Sequence, residues 1–248
     1  NYCNYPAGCG GSSSGGPYTL IPDPEFEQAL TYLGHDDVMD GQVLTANISG
    51  VESLIVNNWG ISDLAGIEDF TALEYLNCES NNLTSLDVSQ NTALTNLECS
   101  YNQLTNLDVS NNTNLDSLRC DWNQLTSLDV SQNTALEDFR CKGNQLTSLD
   151  LSSNTLLYDL NCDENFLTSL DLSSNTLLYD LDCDYNDITS LNLSNNTMLY
   201  SLNCMGNQLT CLNLKNGNNS NLEILEATDN PNLTCIEVDD ADYSNANW

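Results

Sequence analysis

The stretch LDSLRCDWNQLTSLDVSQNTA, residues 115–135, decides the fold. Its cysteine, Cys120, recurs at Cys78, Cys99, Cys141, Cys162, Cys183 and Cys204, always 21 residues apart. Its asparagine, Asn123, recurs in step at Asn81, Asn102, Asn144, Asn165, Asn186 and Asn207. A fixed period of that length signals a solenoid, in which each unit buries its apolar edge only against its neighbours. Each unit is nearly two similar halves, LxxLxCxxN and then LTSLDVSxN. In the second half Leu128 and Val130 alternate with Ser127 and Asp129, the period-2 pattern of a half-buried strand. The reading is a mainly β solenoid with parallel sheets on both sides of a thin core. Curvature should be mild, because no helix widens the convex side. The cysteines then pack as small hydrophobes, and the asparagine amides satisfy backbone groups at a buried turn.

Working outward, regular coils start at Leu73, Leu94, Leu115, Leu136, Leu157, Leu178 and Leu199. A variant coil opening at Val51 precedes them, with Trp59 in the asparagine's place, and a last coil opens at Leu222. This makes about nine coils across residues 51–238. Residues 20–50 read as an N-terminal cap with one short helix. Asp23 is its N-cap, Pro24 its first residue and Gly34 its stop, and Phe26, Ala29, Leu30 and Leu33 form the buried stripe. Residues 1–19 are Gly/Ser-rich and read as a flexible arm, and residues 239–248 as a C-terminal tail.

Composition narrows the partners. Four Lys+Arg stand against 36 Asp+Glu, a formal charge of −32. Four cations cannot supply the basic stripe that phosphate backbones need, so nucleic acid is excluded as a partner. No apolar run reaches the ~18 residues of a spanning helix, so membrane insertion is not expected. The chain opens at Asn1 with no basic-then-apolar leader, the expectation for a mature secreted product. Of its 11 cysteines, Cys3, Cys9, Cys211 and Cys235 lie outside the repeat column and are the disulfide candidates. Cys211 and Cys235 hold one repeat position in adjacent coils, where strands ~4.8 Å apart suit a bridge. No cofactor is implied. Calcium has one weak candidate site, Asp36, Asp37 and Asp40 in HDDVMDG, whose spacing departs from the DxDxDG loop. The sole histidine, His35, has no nucleophile or metal-ligand pattern around it, so no enzyme is expected.

The motif LxxLxCxxNxL resembles the leucine-rich repeat, with cysteine replacing one leucine. The 21-residue cysteine-bearing form is similar to internalins of the internalin J type and to secreted surface proteins of the bacterial phylum that uses type IX secretion. PDPEFEQAL and ISDLAGIEDFTALEYLNC resemble the cap and entry coil of such proteins. The resemblance implies a secreted or cell-surface binding module without chemistry. It also implies that the LxxLxC strands expose the binding surface.

Two features mark that surface. Arg119, Arg140 and Lys142, three of the four cations, fall on two adjacent coils beside Trp122, with Tyr101 one coil earlier. Such residue types dominate interface energies, although the cations could equally neutralise carboxylates such as Asp121 and Asp138. Tyr158, Tyr179 and Tyr200 form a second file, either a stiffening ladder or a platform for sugar rings. The expected function is binding of a protein partner through this face. Carbohydrate binding on the tyrosine file is the alternative, and a non-binding spacer is the third reading. On the other side runs a like-charged column, Asp87, Asp108, Asp129, Asp150 and Asp171, followed by Asn192 and Asn213. At ~5 Å spacing each pair repels by ~1 kcal/mol even in water, so cations or neighbouring hydroxyl groups must offset it.

Overall fold

A computed structural model describes residues 17–247 of the chain. Strand β1 (Tyr18–Leu20) pairs antiparallel with β2 (Gln42–Leu44), and helices α1 (Pro24–Leu33) and α2 (Thr45–Ile48) complete the cap. The strands of the repeat follow: β3 (Ser53–Ile55), β4 (Tyr75–Asn77), β5 (Asn96–Glu98), β6 (Ser117–Arg119) and β7 (Asp138–Arg140). Next come β8 (Asp159–Asn161), β9 (Asp180–Asp182), β10 (Ser190–Asn192), β11 (Ser201–Asn203) and β12 (Cys211–Asn213). Strands β13 (Ile224–Glu226) and β14 (Cys235–Glu237) and helix α3 (Ala241–Asn247) end the chain. The LxxLxC strands form one nine-stranded parallel sheet, β3-β4-β5-β6-β7-β8-β9-β11-β13. The chain is thus a leucine-rich-repeat solenoid of about nine coils.

The interior is columns. Leucines, Val88, Val109 and Val130, and the seven repeat cysteines are buried in one continuous core. Burial pushes the Cys78 thiol up to about 12, and its six counterparts rise for the same reason, so all are held protonated and inert. Asn123 explains the asparagine column. Its Oδ1 accepts from the Leu104 amide at 2.9 Å, and its Nδ2 donates to the Cys99 and Cys120 carbonyls at 3.1 Å each. One amide therefore satisfies backbone groups of two coils. A second buried asparagine column, Asn91, Asn112, Asn133, Asn154, Asn175 and Asn196, escaped the sequence reading. Asn133 Nδ2 donates to the Val109 and Asn112 carbonyls at 3.0 and 2.8 Å, while its Oδ1 is buried without a partner.

The opposite side departs from the expected second sheet. A continuous ladder, β10-β12-β14, exists only at the C-terminal end, with one isolated bridge between Asp87 and Asp108. The outward column gives the reason. Asp87, Asp108, Asp129, Asp150 and Asp171 each turn their Oδ1 onto the amide of the serine two residues on, closing a turn. Where the column becomes Asn192 and Asn213, the side-chain amides join across coils at 3.0 Å and the ladder forms. Hydrogen bonds from Ser89 and Ser110 hold the Asp87 and Asp108 carboxyls below their ordinary range, supplying the expected offset to repulsion.

Both ends also differ from expectation. Residues 17–19 are not arm: Thr19 is buried, and β1 belongs to the cap. Cys3 and Cys9 lie outside the described residues. The expected tail carries α3, whose first turn is capped by Asp240 Oδ1 accepting from the Asp242 and Tyr243 amides. In α1, Phe26, Ala29 and Leu30 are buried as expected, but Leu33 is 39% exposed at the helix end. Asp23 does more than cap α1: its Oδ2 also accepts from the Ser62 amide and hydroxyl and from the Asp63 amide, tying the cap to the first coil.

Candidate binding face

The outward surface of the nine-stranded sheet is built by alternation. In Ser117-Leu118-Arg119-Cys120-Asp121, Leu118 and Cys120 are buried and Arg119 and Asp121 face out. Strand pairing sets Arg119 beside Arg140, and Asp138 beside Asp159. Each cation then finds a carboxylate on the following coil. Arg119 Nε and Nη2 donate to Asp138 Oδ2 at 3.1 and 2.7 Å. Arg140 bridges Asp138 and Asp159 at 3.1 and 2.7 Å. Lys142 Nζ lies 3.4 Å from Asp163 and 3.3 Å from Glu164. The three are a paired network, not free charges, and pairs so exposed contribute ~0–1 kcal/mol each. Among the described residues Asp121 forms no ion pair but accepts from the Lys142 amide at 2.8 Å, and burial, which disfavours its ionised form, is opposed by the charges of Arg140 and Arg119. Ser117 is buried, its hydroxyl 3.4 Å from Asp138.

Aromatic residues border the face at both strand ends. Beyond the C-terminal ends, one position per coil adopts a left-handed backbone: Tyr101, Trp122 and Tyr185 do so at φ 54, 52 and 49. The Trp122 amide nonetheless keeps the ladder, donating to the Lys142 carbonyl at 2.7 Å. Gly143 and Gly206 hold the same position at no steric cost, and neighbouring rings use the space they leave. A Cβ on Gly143 would stand 2.7 Å from the Trp122 ring, and one on Gly206 2.8 Å from Tyr185. Tyr101 stacks on Trp122 with ring centres 6.1 Å apart, and Trp122 stays 38% exposed. Phe166 and Tyr185 are exposed on the same border and were missed in the sequence. Their signal was present: Phe166 stands where Gln103, Gln124, Gln145 and Gln208 stand in other coils.

Before the N-terminal ends, Tyr158, Tyr179 and Tyr200 stack with centres 4.9 Å apart and planes within 6°. The stack spends ring faces on one another and presents edges and hydroxyls outward. Tyr200 donates to Glu223 at 2.9 Å, which closes the file. Leu156, Leu177 and Met198, exposed two residues before each tyrosine, add an apolar strip that the sequence reading passed over.

The remaining candidates separate. Asp36, Asp37 and Asp40 do not converge: Asp36 turns to the Asp37 amide and Asp40 to Gln42. Among the described residues, one group of three potential metal ligands has donor atoms all within 4.8 Å, namely Cys211, Cys235 and Glu237. Cys211 and Cys235 are register partners on β12 and β14, as expected, with sulfurs 2.7 Å apart and no bond between them. A groove of about 780 Å³ is lined by Asp63, Leu64, Glu68, Leu86 and Asp87.

No protein-family model and no curated protein matches the chain. Solved structures do. The functional domain of InlJ from Listeria monocytogenes, described as including a cysteine ladder, is 33% identical with a TM-score of 0.66. That match covers 91% of this chain and 62% of the other. A leucine-rich-repeat protein of Leptospira interrogans is 24% identical with a TM-score of 0.62, covering 75% of this chain and 57% of that one. Internalin C2 of Listeria monocytogenes is 21% identical with a TM-score of 0.66, covering 92% and 100%. The chain therefore spans less than two thirds of the first two structures. The last two share its fold.

Proposed function

We propose that this internalin-like leucine-rich-repeat solenoid is an extracellular binding or adhesion module, secreted or on a cell surface. It engages a protein partner through the outward face of its nine-stranded sheet. The observation that carries the reading is the strained aromatic border. A bulky side chain at positive φ costs on the order of 1–3 kcal/mol. Tyr101, Trp122 and Tyr185 bear that strain and still expose their rings, whereas Gly143 and Gly206 close the same turn without it. Arg119 and Arg140 end the strands of the Trp122 coil and the next, so aromatic and guanidinium groups of the kind that anchor interfaces share this face. Sugar binding on Tyr158, Tyr179 and Tyr200 is the weaker reading, because stacked rings leave few faces for a pyranose. No helix among the described residues is long and apolar enough to cross a membrane.

The test is capture from cell surfaces followed by affinity measurement on the captured protein. Arg119→Glu with Trp122→Ala should weaken the complex at least about tenfold, roughly 1.4 kcal/mol. Tyr179→Ala should leave it nearly unchanged. Loss with Tyr179→Ala and none with the double variant would turn the reading toward the tyrosine file, and no effect from either toward a spacer. The same reading includes a disulfide between Cys211 and Cys235, supported by their register on neighbouring strands. Protein matured in an oxidising compartment should resist alkylation at both cysteines until reduced.

A further inference from the structure

Along the sheet face, each cation of one coil meets a carboxylate of the next: Arg140 meets Asp159, and Lys142 meets Asp163. One coil further the pattern stops. Strand β9 places Asp180 and Asp182 beside Asp159 and Asn161, and Asp184 follows beside Asp163. Among the described residues no cation pairs with any of these three aspartates. The coil beyond offers only Ser201, Asn203 and Met205.

These carboxylates lie within the face, not out in solvent. Asp184 is 5% exposed, and its Oδ1 is buried with no hydrogen-bond partner; the Oδ1 of Asp180 is unpartnered too. Leaving a charged acceptor buried and unpaired is destabilising, so a fold keeps such a group where a ligand completes it. We propose that Asp180, Asp182 and Asp184, with Asp163 beside them, form the seat for an arginine or lysine side chain of the protein partner. This rests on the reading that the face binds a protein. The chain's own Lys142, set between Asp163 and Glu164, is the template for such an occupant. A calcium ion fits poorly, because it gathers about 6–8 oxygens and no three of these carboxylates bring donor atoms within 4.8 Å of one another. A guanidinium fork or a mobile ammonium can span acceptors set further apart. The net charge of −32 steers basic segments toward the molecule.

The seat has a proton signature. Burial, then contact with Asp184 and the charges of Asp184 and Asp182, push Asp163 up to about 8 against the opposing pull of Lys142. Burial and the neighbouring Asp180 and Asp184 raise Asp182 as well. An incoming cation favours the ionised forms, so docking should release protons, and affinity should rise as pH is raised toward about 8.

The experiment titrates the intact protein with the peptide Arg-Gly-Arg-Gly-Arg by calorimetry, in two buffers of different ionisation enthalpy. A saturable site with proton release is expected. Asp180→Asn/Asp182→Asn/Asp184→Asn should weaken it at least about tenfold. Asp108→Asn/Asp129→Asn/Asp150→Asn removes the same charge from the other side and should cost less than about twofold. Equal losses would mean a diffuse field and overturn the seat, as would saturable calcium binding at the row that excludes the peptide. If the β9 triple variant does not fold, Met205→Lys serves instead. It places an ammonium beside Asp184 and should abolish peptide binding while raising the melting temperature; undiminished binding overturns the proposal. Should the peptide find no site while Arg119→Glu/Trp122→Ala still loses the captured partner, the seat fails and the binding face stands. If the peptide seat holds while that double variant keeps its partner, it is the border around Trp122 that fails.

Discussion

Asn123 illustrates how much one side chain can hold. Replacing it with alanine strands the Leu104 amide in a dry interior, while the Cys99 and Cys120 carbonyls each lose one donor and keep Asn102 and Asn144. At about 1–3 kcal/mol for the unpaired amide and about 1 kcal/mol for each of the two lost hydrogen bonds, Asn123→Ala should cost roughly 3 kcal/mol or more in denaturant unfolding. Asn133→Ala should cost less, because Asn133 uses only its donors and its Oδ1 is already unpaired. Equal costs would show that the two columns are not distinguished by amide satisfaction. The first column was legible in the sequence because its asparagine breaks an apolar run at a fixed place. The second was hidden inside SQNT and SSNT, where a polar residue among polar residues carries no sign of burial. Likewise, Trp122 was visible as an exception, but its left-handed backbone was not. That conformation follows from the turn each coil must make, and Gly143 and Gly206, with Asn58 and Asp229 at the same position, are its trace in the letters.

At the scale of the element, pairing between coils decides what the sequence alone could not. Period-2 alternation marked both sides of the coil as extended. The ladder follows the outward column: along the five aspartates, among the described residues, only Asp87 and Asp108 bridge, whereas Asn192 and Asn213 bond across coils where the ladder runs. The cation patch was legible as a cluster, with Asp138 as one of its carboxylates, whereas Asp159, Asp163 and Glu164 were not, because they meet the cations only through the stacking of neighbouring coils. The acidic step at β9 has a stability consequence. A carboxyl with a raised folded pKa contributes stability fully below its unfolded pKa and loses it as pH rises through the folded value. Asp163 should therefore destabilise the protein progressively between its ordinary 3.8 and about 8. Asp163→Asn should remove that fall, so that its advantage over wild type is small near pH 4, grows as pH rises and is full above about pH 8. Parallel melting curves of the two proteins across that range would refute the like-charge account. Asp87 and its column act oppositely: their lowered values mean stability present in neutral solution and lost as pH falls through the acid range.

For the whole molecule, 36 acidic residues against four cations on a stacked coil make self-repulsion a property of the fold. Raising salt from near zero to about 0.5 M shortens screening to a few ångströms. The melting temperature should climb by several degrees, with a smaller rise in Asp108→Asn/Asp129→Asn/Asp150→Asn. An unchanged wild-type melting temperature would mean that the serine bonds already cancel the repulsion. The same geometry that repeats the interior leaves the outward face free to vary, so the binding claim concerns where the repeat is broken. Oxidative footprinting of the complex with the captured partner tests it most directly. Tyr101, Trp122 and Tyr185 should lose labelling when the partner binds, while Tyr32 and Tyr243, away from the face, keep theirs. Protection confined to Tyr32 or Tyr243, with the three border aromatics labelled as in the free protein, would contradict the assignment of the sheet face.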